Sequence, residues 1–414
     1  MSLIEAAPMA PAIETRVAAS ISPRQRGEYS VPIGYLRAFV TLLVLAHHSV
    51  LAYVPFGAAV PANLVARPRL WQAFPVLDPA KWGGFGLFTG FNDVYFMALM
   101  FFISGLFVWN SIERKGPRGF VRGRMLRLGL PFLVAAAVLA PIAYYPAYLQ
   151  TGARGFAGFW RQWLALGSWP AGPAWFVWVL LAFDCAAAAI FLAAPRSALN
   201  LGERLSRIAR RPSLFFAILA AVSAAAYLPM ALLFDPFRWT EFGPFVFQTS
   251  RIFHYLAYFL FGLALGACGI SRGLFATDGK LARRWVWWVN VAPFLLAALT
   301  VAFLVAISTP AHPVRWAVIG GILFALACAA SCLACLAVFL RFARRTRPLF
   351  DSLRDNAYGM YLIHYAFANW LQFALLGAPL PAIAKGLLAI IGTVLLSWGV
   401  TAALRRIPAV ARVI

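Results

Sequence analysis

Arg37 and His48 stand eleven residues apart in the apolar run YLRAFVTLLVLAHHSVLAY. At about 100° and 1.5 Å per residue, eleven steps of an α-helix return a side chain to nearly the same direction about 16 Å further on, so both project from one face. An arginine offers a planar fork of donors that suits phosphate. A positioned imidazole can take the proton of a hydroxyl while that oxygen attacks an electrophile. A charged side chain typically costs about 2.5–3.5 kcal/mol at the centre of a membrane helix on insertion scales, so such groups persist where they line a cavity or a reaction path. His47, turned about 100° from His48, is expected to pack or to support it.

Few other residues could do chemistry. Asp93, at the start of FNDVYFMALMFFISGLFVW, can orient His48, bind a polar substrate or simply begin a helix, and Ser104 in the same segment either packs as a small residue or acts directly. Asp184 and His364 fall in the middle of apolar runs and need partners there, in a structural polar network or in a functional one. Arg251 and His254 suit contact with a polar substrate or anchoring at an interface. Arg114, Lys115, Arg118, Arg122, Arg124 and Arg127 form a basic cluster that reads as a topological anchor and as a phosphate site. His312, beside Pro313, is given no role. The histidines are scattered and no acidic cluster accompanies them, so no metal site is expected. Five cysteines all lie in apolar runs, and the Cys332–Cys335 pair in CAASCLACLAV reads as helix packing rather than a redox or metal motif.

The elements that must position these groups follow from composition. With 63% hydrophobic and 12% charged residues in 414, the chain is a polytopic membrane protein. Ten windows of roughly 20 apolar residues, the length a hydrocarbon core demands, lie near 35–54, 92–112, 126–148, 173–194, 213–234, 250–270, 286–307, 314–340, 356–376 and 383–404. Backbone donors and acceptors cannot go unpaired in lipid, so each is expected to be a helix, in an all-α fold. Loop Lys and Arg alternate in abundance, 25 in one set of segments against 8 in the other. This places both termini in the cytoplasm with an even number of crossings, and makes the net charge of +23 a topology signal rather than a nucleic-acid one. Residues 1–34 contain no continuous apolar core and are expected to be a disordered cytoplasmic tail, 35–404 the membrane domain, and 405–414 a short cytoplasmic tail. The proline- and aromatic-rich stretch 55–91 is expected to lie outside the membrane, where it could roof a cavity.

The spacing from Arg37 to His48 resembles the first-helix signature of the acyltransferase-3 family, multi-pass bacterial enzymes that acylate hydroxyls of surface or periplasmic sugars. FFISG (Phe101 to Gly105), RGRMLRLGLPF ending in Pro131–Phe132, AWFVWVLLAFD from Ala174 and YGMYLIHY (Tyr358 to Tyr365) resemble further family motifs in the same order. The second and ninth segments are similar to a glucan-modifying, succinyl-transferring branch.

The resemblance implies an O-acyltransferase of the bacterial inner membrane, with acyl-CoA as donor substrate, no permanently bound cofactor, and a glycan hydroxyl as acceptor. His48 is then the general base or a transient acyl carrier, aided by Arg37 and Asp93. Arg37, Arg122, Arg124 and Arg127 would hold the phosphates of the CoA head group at the cytoplasmic face. Two other classes remain open: a proton-coupled transporter relaying protons through His48, Asp184 and His364, and a non-catalytic scaffold for glycan synthesis.

Overall fold

The computed structural model describes residues 30–57, 59–270, 273–309 and 312–414. The expected N-terminal tail therefore lies, up to residue 29, outside the described residues. Nine helices among the described residues are long and apolar enough to cross a membrane. They are α1 (Val31–Val50, prolonged by a tight turn to Tyr53), α2 (Gly83–Gly105), α3 (Val108–Gln150), α5 (Trp175–Ala193), α7 (Pro212–Phe234), α8 (Ile252–Ala267), α10 (Trp285–Ser308), α11 (Pro313–Phe342) and α13 (Ala382–Leu404). A tenth long helix, α12 (Pro348–Ala374), opens with the ion pairs of Arg354 to Asp351 and Asp355, and its apolar part coincides with the expected ninth segment. Short helices α4 (Phe156–Leu164), α6 (Pro195–Ala209), α9 (Lys280–Arg283) and α14 (Pro408–Ala411) connect or follow them. The protein is an all-α polytopic membrane protein.

Three features differ from the sequence expectation. First, α2 begins at Gly83, well before residue 92. The glycines of GGFGLFTGF weaken the local helical signal, but Phe85 and Thr89 are buried and Phe85 packs with Ala382 and Ala389, so tertiary contacts carry the helix into the stretch expected to be loop. Asn92 and Asp93 thus lie well inside α2 rather than at its end.

Second, the basic segment expected between two spans is itself helical. Its helix, Val108–Arg124, is kinked where Gly116 takes φ +70° ahead of Pro117, and runs on into the apolar part of α3. Two wide turns, Met125–Gly129 and Ala135–Leu139, precede Pro131 and Pro141 in α3. A proline returns no hydrogen bond to the preceding turn, and side chains from elsewhere take up carbonyls so released. Trp370 donates to the Ile142 carbonyl (3.0 Å), four residues before Pro146, and Tyr358 donates to Arg127 (2.6 Å), four before Pro131. With Asn369 on the Ala143 carbonyl at 2.9 Å, these bonds tie α12 alongside α3 in parallel.

Third, a short antiparallel hairpin joins α7 to α8. Its strands, β1 (Trp239–Phe242) and β2 (Phe245–Gln248), turn at Gly243, whose φ is +55°, and Trp178 of α5 donates to the Val246 carbonyl at 3.0 Å.

Helices α2 and α8 approach so closely that a Cβ on Gly105 would collide with the Phe259 carbonyl, and one on Gly262 with that of Phe102. Small residues permit such backbone contact in membrane bundles. The segment between α1 and α2 folds back over the end of the bundle. Asp78 pairs with Lys385 of α13 at 2.7 Å, both side chains being 3% exposed or less, and Lys385 also donates to the Leu376 carbonyl. Gln150 at the end of α3 makes a two-way amide pair with the backbone of Leu77, and Lys81 donates to the Ala52 carbonyl at 3.0 Å.

Candidate functional site

His48 lies in the last turn of α1, where Nδ1 is 2.8 Å from the Val44 carbonyl and 3.2 Å from Nε2 of His364 on α12. His364 Nδ1 in turn lies 2.6 Å from the Tyr361 carbonyl. A carbonyl only accepts, so His364 carries its proton on Nδ1 and leaves Nε2 with a lone pair. His48 then carries its proton on Nδ1, shared between the Val44 carbonyl and His364 Nε2. The consequence is a His48 Nε2 whose lone pair is free. His48 is partly exposed whereas His364 is fully buried, so the outer imidazole is reachable and the inner one supports it.

The frame around this pair comes from three elements. Gln372, two turns beyond His364, donates to the His48 carbonyl at 2.8 Å and fixes the end of α1. The edge of the Tyr365 ring meets His48 with centroids 5.3 Å apart, and the Tyr361 hydroxyl donates to the Pro173 carbonyl just before α5. Tyr144 of α3 donates to the Gln72 carbonyl at 2.9 Å, which brings the folded-back segment against Tyr365, whose ring lies 5.5 Å from that of Tyr144. His47 stacks on Phe96 of α2 at 5.3 Å, with its ring 5.2 Å from that of His48.

Three turns back along α1, Arg37 is exposed and has no ion pair or side-chain hydrogen bond among the described residues. Arg124 of α3 and Asp355 of α12 both act on it electrostatically. Arg124 lies over the Phe120 ring and pairs at 3.1 Å with Asp184, which is fully buried. Arg122 and Arg127 are exposed along the same stretch of α3. The two ends of the Arg37–His48 face thus differ: a cationic mouth with few carboxylates among the described residues, and a hydrogen-bonded imidazole pair.

The remaining candidates are distributed as follows. Asp93 bonds to Arg251, not to His48: Arg251 donates to Asp93 Oδ2 at 2.7 Å and to its main-chain carbonyl at 2.9 Å. His254 is buried between Ser223 (2.9 Å from Nδ1) and Cys328 (3.6 Å from Nε2), packed against Tyr227, Tyr258 and Phe324. Ser104 is half-buried near the end of α2. Asp184 serves Arg124, so His48, Asp184 and His364 do not form one continuous relay. No group of three or more His, Cys, Asp or Glu side chains able to hold a metal occurs among the described residues. Sequence reasoning overlooked Gln372, Tyr361 and Tyr365 as the frame of His48; the tyrosines stand in YGMYLIHY beside His364, but Gln372 carries no local signal.

No curated protein and no solved structure matches the chain. The family described as Acyltransferase domain matches residues 33–402, from the start of α1 to the end of α13, and so includes both histidines and every arginine of the cationic mouth. The chain belongs to the acyltransferase-3 family, and the helical bundle that frames His48 is that of a membrane acyltransferase.

Proposed function

We propose that the protein moves an acetyl or succinyl group from cytosolic acyl-CoA to a hydroxyl of a periplasmic or surface glycan, across a bacterial inner membrane with the Arg37 end facing the cytoplasm. The observation that carries this reading is the free Nε2 of His48, set by the Val44 carbonyl and His364 at one end of a helix whose other end presents an Arg37 unpaired among the described residues.

In this reading the phosphates of the CoA head group meet Arg37, Arg122, Arg124 and Arg127, where guanidinium forks suit them. The pantetheine arm extends along the Arg37–His48 face and brings the thioester carbonyl to the imidazole. The acceptor hydroxyl adds to that carbonyl as Nε2 of His48 takes its proton. The imidazolium so formed stays hydrogen-bonded through Nδ1 to the Val44 carbonyl and to His364. Collapse breaks the C–S bond, and the departing CoA thiolate takes the proton from His48 Nε2 to leave as free thiol. Proton transfer of this kind typically contributes about 10²–10⁴-fold.

The test is incubation of the purified protein with labelled acetyl-CoA and succinyl-CoA and a glycan extract. Label is expected in glycan with the wild type and not with His48→Ala at equal protein level. Equal transfer by His48→Ala overturns the reading. Movement of labelled glycan across reconstituted vesicles without any acyl transfer favours transport instead.

A further inference from the structure

We infer that Asp93, held by Arg251, is the recognition site for a second hydroxyl of the acceptor, so that the favoured substrate is a diol with adjacent hydroxyls rather than a lone alcohol. The inference rests on the acyl-transfer reading above and adds what that reading lacks, a group that selects the acceptor.

The geometry is specific. Arg251 is buried, its side chain 5% exposed, and it spends two donors on Asp93, one on Oδ2 and one on the main-chain carbonyl. Its guanidinium lies over the Phe324 ring at 4.9 Å, so it is fixed from the other side as well. Asp93 itself is 45% exposed along its side chain, and Oδ1 has no partner among the described residues. A carboxylate placed well inside a membrane helix, immobilised through one oxygen and open at the other, is an acceptor waiting for donors. Hydroxyls supply donors without adding charge.

His47 neighbours the reaction centre. Its Nδ1 is buried without a hydrogen-bond partner among the described residues, and Asp93 is within its electrostatic reach. Its ring is 5.2 Å from that of His48. Unpaired buried polar atoms are uncommon in folded proteins and call for an explanation such as a ligand. One molecule with neighbouring hydroxyls accounts for the observations together: one O–H faces His48 Nε2, and the next donates to Asp93 Oδ1 while its oxygen accepts from His47 Nδ1. Hydrogen bonds to charged groups are the stronger class, and the loss of one corresponds to about a ten- to hundredfold effect.

The experiment uses the full-length purified protein with labelled acetyl-CoA and succinyl-CoA and two acceptors that differ by one hydroxyl, cis-1,2-cyclohexanediol and cyclohexanol. The wild type is expected to favour the diol in kcat/KM by at least about tenfold; equal use of the two overturns the inference without recourse to any variant. In Asp93→Asn the amide oxygen still accepts from Arg251, but a donor replaces the free oxygen. That variant is expected to lose the preference, its diol-to-alcohol ratio falling about tenfold or more, while calorimetry gives unaltered acyl-CoA affinity. A folded Asp93→Asn that keeps the wild-type ratio overturns the inference. Transfer to a glycan extract without diol preference sinks this inference alone, whereas absence of transfer to every acceptor, extract included, sinks the acyl-transfer reading and this inference with it.

Discussion

His364 Nε2 lies 3.2 Å from His48 Nδ1, although 316 positions separate the two residues in the chain. The backbone carbonyls at Val44 and Tyr361 orient the pair so that, of its four ring nitrogens, only His48 Nε2 is left without a partner among the described residues. The inner histidine is therefore a positioning residue, which holds the tautomer and direction of the outer one.

That assignment separates two variants. His364→Ala removes the acceptor of the His48 hydrogen bond and is expected to lower kcat about 10- to 100-fold with the KM for acyl-CoA within about twofold. His364→Gln, whose amide oxygen can accept the same bond, is expected to retain more activity than the alanine variant. Steady-state kinetics on the two proteins decides it; equal losses would assign His364 to packing alone.

Arg37 presents its guanidinium without an ion pair among the described residues, within the electrostatic influence of Arg124 and Asp355. Arg37→Gln is expected to raise the KM for acyl-CoA about tenfold or more. Because the lost interaction is between charges at an exposed mouth, the difference between wild type and variant should narrow as salt is raised from low to physiological strength. A salt titration of KM checks both statements.

The Asp78–Lys385 pair is buried at both ends, and removal of one partner strands the other in a site with little water. Asp78→Asn and Lys385→Met are each expected to destabilise the protein by about 3–5 kcal/mol, whereas the joint change of Asp78→Leu with Lys385→Met costs less than either alone. Thermal unfolding in detergent provides the comparison. A double variant worse than both singles would contradict it.

Backbone contact between α2 and α8 makes Gly262 intolerant of any side chain, since the Phe102 carbonyl occupies the space a Cβ needs. Gly262→Val is expected to abolish folded protein, while Gly399→Ala, at a position with open space around it, is expected to leave yield and melting temperature unchanged or slightly raised. Size-exclusion profiles of the two variants report the outcome.

Much of the fold is legible in the sequence because the bilayer leaves the backbone few choices. A window of some 20 apolar residues that cannot leave its amides unpaired becomes a helix whatever its neighbours are. Departures from the expectation arise where that rule weakens. The glycines before residue 92 and the arginines around Gly116 carry poor local signals, yet both stretches are helical because buried residues such as Phe85 and Phe120 pack against the bundle. The hairpin at Trp239–Gln248 lies outside the spans, where strand pairing is allowed again.

What the sequence determined by itself is local: which segments cross, and that Arg37 and His48 share one helical face, because both follow from period and rise along a single helix. What only the tertiary structure decided is who meets whom. His364 rather than Asp93 supports His48, Arg251 claims Asp93 across 158 positions, and Asp184 belongs to Arg124. Those pairings depend on which helices pack side by side and at what depth, and close packing is set by glycines and prolines whose effect appears only when a second helix is present.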